Sequence, residues 1–154
     1  MQGAINARHN ARHHTRPNTW HPTHGGAKVN VMVIEDSDIV RIVFHSLLAQ
    51  VGGATVSAEF DSAASAIRAL DNDIPDAILL DIQLRSGNGM DVLKVVQAAH
   101  PQIKVFVVTN FIDDFYRKRY LEAGASGFFD KSRDLALLRN CLRSLSAAIA
   151  SPVT

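Results

Sequence analysis

From Lys28 onward the chain alternates between two hydrophobic rhythms. Val29–Ile34, Asp76–Ile82 and Ile103–Thr109 are nearly unbroken apolar runs of strand length, the pattern of strands buried on both faces. Ala54–Phe60 predicts a further strand and Ser126–Phe129 a short one. The segments between them carry helical spacing. Ser37 is placed to cap a helix running to about Val51, with Ile39, Val43, Leu47 and Val51 as its inward stripe and Gly52-Gly53 as its end. Asp61–Asp71 predicts an Ala-rich helix, Gly89–His100 a helix stopped by Pro101, and Asp113–Ala123 a helix closed by Gly124. Arg133–Ala150 is the last, with Leu135, Leu138, Leu142, Leu145 and Ile149 in line as a core stripe rather than a dimer seam. Five strands alternating with five helices in about 120 residues predict an α/β fold, a parallel sheet covered by helices on both faces.

Residues 1–27 follow neither rhythm. They are rich in Asn, Thr, Pro, Gly and His and predict a disordered tail. Their five histidines, His9, His13, His14, His21 and His24, match no zinc spacing. The tail changes how the charge is read. The whole chain of 154 residues has a formal charge of +1, but the tail holds three arginines and no acid. Residues 28–154 therefore carry 13 basic against 15 acidic side chains, a net charge of about −2. That is no general nucleic-acid-binding surface, and direct DNA binding is not expected. No apolar run is long enough to cross a bilayer, and no apolar leader follows the amino terminus. A single cysteine, Cys141, can form no intramolecular disulfide, which suits the cytoplasm. On the last helix it is expected to be a small buried residue.

In a parallel sheet of this kind, chemistry gathers beyond the carboxyl ends of the strands. The residues there are Glu35 and Asp36 after the first strand, Asp81 ending the third, Thr109 ending the fourth and Lys131 just after the fifth. Carboxylates held within a few ångströms repel one another, and a hard divalent cation relieves the repulsion. Magnesium prefers such oxygen ligands and leaves positions that phosphate oxygens fill. Lys131 and Thr109 could each meet a transferring phosphoryl group, and one carboxylate could be its acceptor. No Gly-rich phosphate loop implies a nucleotide.

The run Val31-Met-Val-Ile-Glu35-Asp36-Ser37, the run Ile78-Leu-Leu-Asp81-Ile-Gln-Leu with Gly87 and Gly89, Thr109 after Val105-Phe-Val-Val, and Ala123-Gly124-Ala125-Ser126-Gly127-Phe128-Phe129-Asp130-Lys131 together resemble a response-regulator receiver domain. The resemblance covers residues 29–150. It implies a flavodoxin-like doubly wound (βα)5 three-layer sandwich with strand order 2-1-3-4-5. It implies that Asp81 accepts a phosphoryl group from a sensor histidine kinase or a histidine phosphotransfer protein. Asp36, supported by Glu35, would hold Mg2+ with Asp81 and the backbone carbonyl of Gln83. Lys131 would pair with a phosphoryl oxygen, Thr109 would move toward the phosphate, and Phe128 would turn inward as an aromatic switch. Three positions depart from the family pattern. Ser132 and Arg85 stand where prolines are common, and Asn110 stands where a small residue is common and is expected to alter the phosphorylation or hydrolysis rate.

Two other readings compete. Asp36-Ser37-Asp38-Ile39-Val40 fits the opening motif of haloacid-dehalogenase-like phosphatases, with Asp36 as nucleophile. That family's acidic pair follows its lysine, whereas Asp113-Asp114 precedes Lys131, and Asp81 would have no role. The third reading is a receiver-like adaptor that is never phosphorylated. The residue count after the last helix favours a stand-alone response regulator, a switch rather than a turnover enzyme. Its output would be protein–protein binding through the fourth helix, fifth strand and last helix, with a homodimer left open. On the fourth helix Arg117, Lys118 and Arg119 are expected to form a solvated face.

Overall fold

The computed structural model describes residues 28–151, so the tail expected over 1–27 lies outside the described residues. In chain order the elements are β1 (Val29–Ile34), α1 (Asp38–Ala49), β2 (Ala54–Phe60), α2 (Ala63–Ala69), β3 (Ala77–Leu80), α3 (Gly89–Ala99), β4 (Lys104–Thr109), α4 (Asp114–Glu122), β5 (Gly127–Asp130) and α5 (Leu135–Ala150). The strands form one parallel sheet in the order β2-β1-β3-β4-β5. The doubly wound α/β sandwich and its strand order are as the pattern and the resemblance predict.

The unbroken apolar runs have a direct reason. Successive strand residues point to opposite faces, and each face has its own core. Met32, Ile34, Ile78, Leu80, Val105, Val107 and Phe128 point toward α2, α3 and α4. Val31, Val33, Leu79, Phe106, Val108 and Phe129 point toward α1 and α5. Side-chain caps set the starts of α1 to α4. Ser37 accepts from the Val40 N–H, Ser62 from Ser65, Asn88 from Met90 and Asp113 from Phe115.

Two expectations fail. The inward stripe of α1 is Phe44, Leu47 and Leu48, continued by Val51 beyond its end, with Val40 packed beside them. Ile39 is 76% exposed, and Val43 also faces outward. Apolar residues cover so much of this helix that the row Ile39-Val43-Leu47 is equally periodic but lies partly on the outer side. Cys141 is exposed, because Leu138 and Leu142 occupy the buried line of α5. The leucine stripe itself is spent on the core, as Leu135, Leu145 and Ile149 pack against the same cluster. Among the described residues no helix is long and apolar enough to cross a membrane.

Candidate functional site at the carboxyl edge of the sheet

Strand register assembles the site. Ile34 pairs with Leu80, so Glu35 and Asp81 are the next residues on adjacent strands. Thr109 pairs with Asp130, which places Lys131 one step beyond; its N–H donates to the Thr109 carbonyl at 3.0 Å. Each acidic residue has one oxygen within a group spanning no more than 4.8 Å: Glu35, Asp36 and Asp81. Glu35 and Asp81 are 1% and 4% exposed, and Asp36 is half-buried.

Lys131 bridges the two buried acids. Its Nζ lies 2.9 Å from Asp81 Oδ2 and 2.7 Å from Glu35 Oε2. The other oxygens are held by backbone. Asp81 Oδ1 accepts from the Gln83 N–H at 3.0 Å, and Glu35 Oε1 accepts from the Ser37 N–H at 3.1 Å. Burial, with Asp81 beside it, pushes the Glu35 carboxyl above the usual carboxylate range even though Lys131 pulls it down. Burial works against the Lys131 charge, but hydrogen bonding and attraction to Glu35 and Asp81 outweigh it and raise its pKa. The lysine is therefore a fixed cation between two carboxylates.

The loop after Asp81 needs its glycines. Gly87 has φ +88°, and a Cβ there would sit 2.6 Å from that of Ala63. At Gly89 a Cβ would meet the Asp81 carbonyl oxygen and the Tyr120 hydroxyl, each at 3.2 Å. Asp36 Oδ2 is engaged from the same loop, by the Arg85 N–H at 2.8 Å and by Arg85 Nε at 3.7 Å. A proline at position 85 would have no such N–H, and the sequence departure was visible while the contact was not.

Thr109 is fully buried, and its Oγ1 accepts from the Phe111 N–H at 3.0 Å. Asn110 beside it is exposed, with Ser132 Oγ 3.5 Å from its Oδ1. Phe128 already points inward in this structure, packed against Tyr120 at 6.2 Å between ring centroids. Arg117 covers it. The guanidinium lies 5.1 Å from the Phe128 ring centroid and Nη1 donates to the Phe128 carbonyl at 3.2 Å. This corrects the expectation of a solvated basic face: Lys118 and Arg119 are exposed, but Arg117 is committed to Phe128. Arg117→Ala is expected to lower unfolding free energy by about 2 kcal/mol, from the lost charged hydrogen bond and cation–π contact. Arg117→Lys should recover only part, because an ammonium has no planar fork to cover ring and carbonyl together. Urea midpoints of the three proteins test this, and an Arg117→Ala midpoint equal to wild type would refute it.

Burial pushes the Tyr120 phenol up to about 12. An unfolded tyrosine ionises near pH 10, so the fold holds this proton longer than the unfolded chain does. Stability from this group is complete below pH 10 and is lost as pH rises toward 12, about 2–3 kcal/mol in all. Lys131, also raised, loses its contribution in the same direction above its ordinary value. Tyr120→Phe should flatten the alkaline fall without removing it, as measured by urea unfolding at pH values of about 9, 10 and 11. An alkaline fall as steep as wild type would contradict the assignment.

The donor set fits a hard divalent cation. Three carboxylates converge, and among the described residues Glu35 Oε2 is buried without a well-angled hydrogen bond, balanced by Lys131 alone. Glu35, Asp36 and Asp81 would hold it.

Comparison with known proteins agrees with this geometry. Residues 31–143 match the family model described as "Response regulator receiver domain". The response regulator GacA of Pseudomonas viridiflava is 30% identical over 119 residues, covering 77% of this chain and 56% of that protein. A cyclic di-GMP phosphodiesterase of Thermotoga maritima is 33% identical over 111 residues, covering 72% of this chain and 29% of its own length. The chain thus spans about half the length, or less, of these relatives. Among solved structures, a DNA-binding response regulator of the LuxR family from Staphylococcus aureus has a TM-score of 0.69 at 22% identity, covering 77% of this chain and 98% of that one. The response regulator domain of Thermotoga maritima CheB has 0.68 at 19%, covering 82% and 99%. At these identities the structures show the shared fold.

Proposed function

The chain belongs to the response-regulator receiver family, and from that premise we propose that it is a two-component phosphorylation switch with Asp81 as phosphoacceptor. The observation that carries the reading is the pairing of Asp81 and Glu35 with Lys131 at 2.9 and 2.7 Å, beside Asp36 at the carboxyl edge of the sheet. A phosphohistidine on a sensor kinase or phosphotransfer protein supplies the group. An Asp81 oxygen bonds to phosphorus as the phosphorus–nitrogen bond breaks, and the departing imidazole keeps the electron pair and takes up a proton. Glu35, Asp36, Asp81 and the Gln83 carbonyl would hold Mg2+, which would supply charge neutralisation for the phosphoryl group. Lys131 leaves the Asp81 carboxylate and pairs with a phosphoryl oxygen. Thr109 gives up the Phe111 N–H and donates its hydroxyl toward the same group.

The output is proposed on the α4-β5-α5 side. Phe111, Phe115 and Tyr116 form an exposed edge-to-face cluster there, with centroids 5.0 and 5.5 Å apart, and Phe115 is 65% exposed. Phe111 is joined through its N–H to Thr109, so a move of Thr109 toward phosphate alters the same segment. The switch is two-state, and the phosphoryl group must interact better with one arrangement of Thr109 and Phe128 than with the other. Because this chain covers 56% of GacA, the output is argued from this surface alone. Incubation with a small phosphodonor and Mg2+, followed by intact mass, tests the proposal. One phosphoryl group, removable by hydroxylamine as an acyl phosphate is, supports it; an unmodified protein rejects it.

A further inference from the structure

Arg85 has no part in the switch just described, yet it makes two contacts to one oxygen of the acidic cluster. Its N–H is 2.8 Å and its Nε 3.7 Å from Asp36 Oδ2. We propose that Arg85 is a resident counter-cation of Asp36 that weakens the hold of the Glu35–Asp36–Asp81 cluster on a divalent ion. The inference rests on the reading of that cluster as a cation site.

Charge balance supports this role. Three carboxylates with Lys131 leave −2, and Arg85 reduces this to −1. An arriving divalent ion must share the Asp36 carboxylate with the guanidinium or displace it, and like charges within a few ångströms repel. Exposure separates Arg85 from Lys131. The Lys131 side chain is 12% exposed and bridges the two buried acids, so its charge stays inside the site. The Arg85 side chain is 87% exposed and Asp36 14%. An exposed guanidinium can leave for water at small cost, so Arg85 exchanges with the ion rather than excluding it. The backbone N–H stays on Asp36 throughout, which keeps that carboxylate oriented whichever cation is present. Arg85 is thus a positioning residue through its backbone and a competitor through its side chain.

Substitutions that keep the N–H isolate the side-chain charge. Mn2+ titration of wild type, Arg85→Gln and Arg85→Lys, followed by the free-ion electron paramagnetic resonance signal with Mg2+ as competitor, reads affinity without any phosphoryl transfer. Arg85→Gln should bind about twofold to fivefold more tightly at low ionic strength, the effect of one exposed ion pair. Arg85→Lys should match wild type because it keeps the charge. The gap should close at about 0.5 M NaCl, where exposed charges are screened. Equal affinity in wild type and Arg85→Gln, a gap that ignores salt, or Arg85→Lys binding as tightly as Arg85→Gln would each overturn the role given to Arg85. Equal and measurable binding leaves the cation site standing and removes only Arg85 from it. No binding by any of the three proteins removes the cation site and this inference together.

Discussion

Asp81→Asn is expected to take up no phosphoryl group under conditions where wild type takes up one, while Asp36→Asn still takes it up, more slowly. The distinction follows from what each carboxylate touches. Asp81 has one oxygen on the Lys131 ammonium and the other on the Gln83 N–H, so it lies between a cation and a loop amide that can both serve an incoming phosphate. An asparagine keeps the shape but offers no anionic oxygen to attack phosphorus. Asp36 has its Oδ2 turned to Arg85 and lies beside Asp81, where it can support a cation. Losing it weakens the charge neutralisation on which transfer depends. Intact mass after exposure to a small phosphodonor and Mg2+ reads both variants at once. An adduct retained in Asp81→Asn and lost in Asp36→Asn would move the nucleophile to Asp36 and favour the phosphatase reading. A circular dichroism spectrum like wild type's shows that each variant is folded when it is tested.

The parts of this molecule legible in the sequence are those set by backbone periodicity. Val31–Ile34, Ile78–Leu80 and Val105–Val108 could only be strands covered on both faces, and such strands lead to a parallel sheet with its chemistry at one edge. Register then brought Glu35, Asp81 and Lys131 together, as their places at the strand ends imply. What could not be read is side-chain choice among equivalent options. On α1, the rows Ile39-Val43-Leu47 and Val40-Phe44-Leu48 are both apolar and helically spaced, and only the sheet beneath selects the second row with Leu47 and leaves Ile39 and Val43 outside. Arg117 is one of three adjacent basic residues, and nothing in the sequence says which of them reaches Phe128. The bond from the Arg85 N–H to Asp36 spans 49 positions and depends on the path of the Asp81–Gly89 loop, which no periodicity encodes. The inward place of Phe128 comes from its packing against Tyr120 beneath Arg117, contacts between elements that no periodicity encodes.

Lys131→Met should lower the unfolding free energy by about 3 kcal/mol at pH 8 in the absence of divalent cations, the cost of stripping a buried ion pair of one partner. Methionine fills much the same volume, so the loss reports charge rather than a cavity. The pH dependence shows which charge is responsible. Glu35 already has its pKa raised in the fold by burial and by Asp81, with Lys131 among the influences lowering it. A carboxyl raised above its unfolded value contributes stability that is complete below the unfolded value and is lost as pH rises through the folded one. Removing Lys131 raises Glu35 further, so in the variant its proton is held to a higher pH. The gap between variant and wild type should therefore be smaller at about pH 5 than at pH 8. Mg2+ should narrow the gap at pH 8 as well, because a divalent cation balances the same carboxylates. Urea unfolding at both pH values, with and without Mg2+, measures all four gaps. Equal non-zero gaps would mean that the loss does not come from the charge balancing Glu35 and Asp81, and gaps near zero would mean that the pairing at 2.7 and 2.9 Å has no energetic consequence for the resting site.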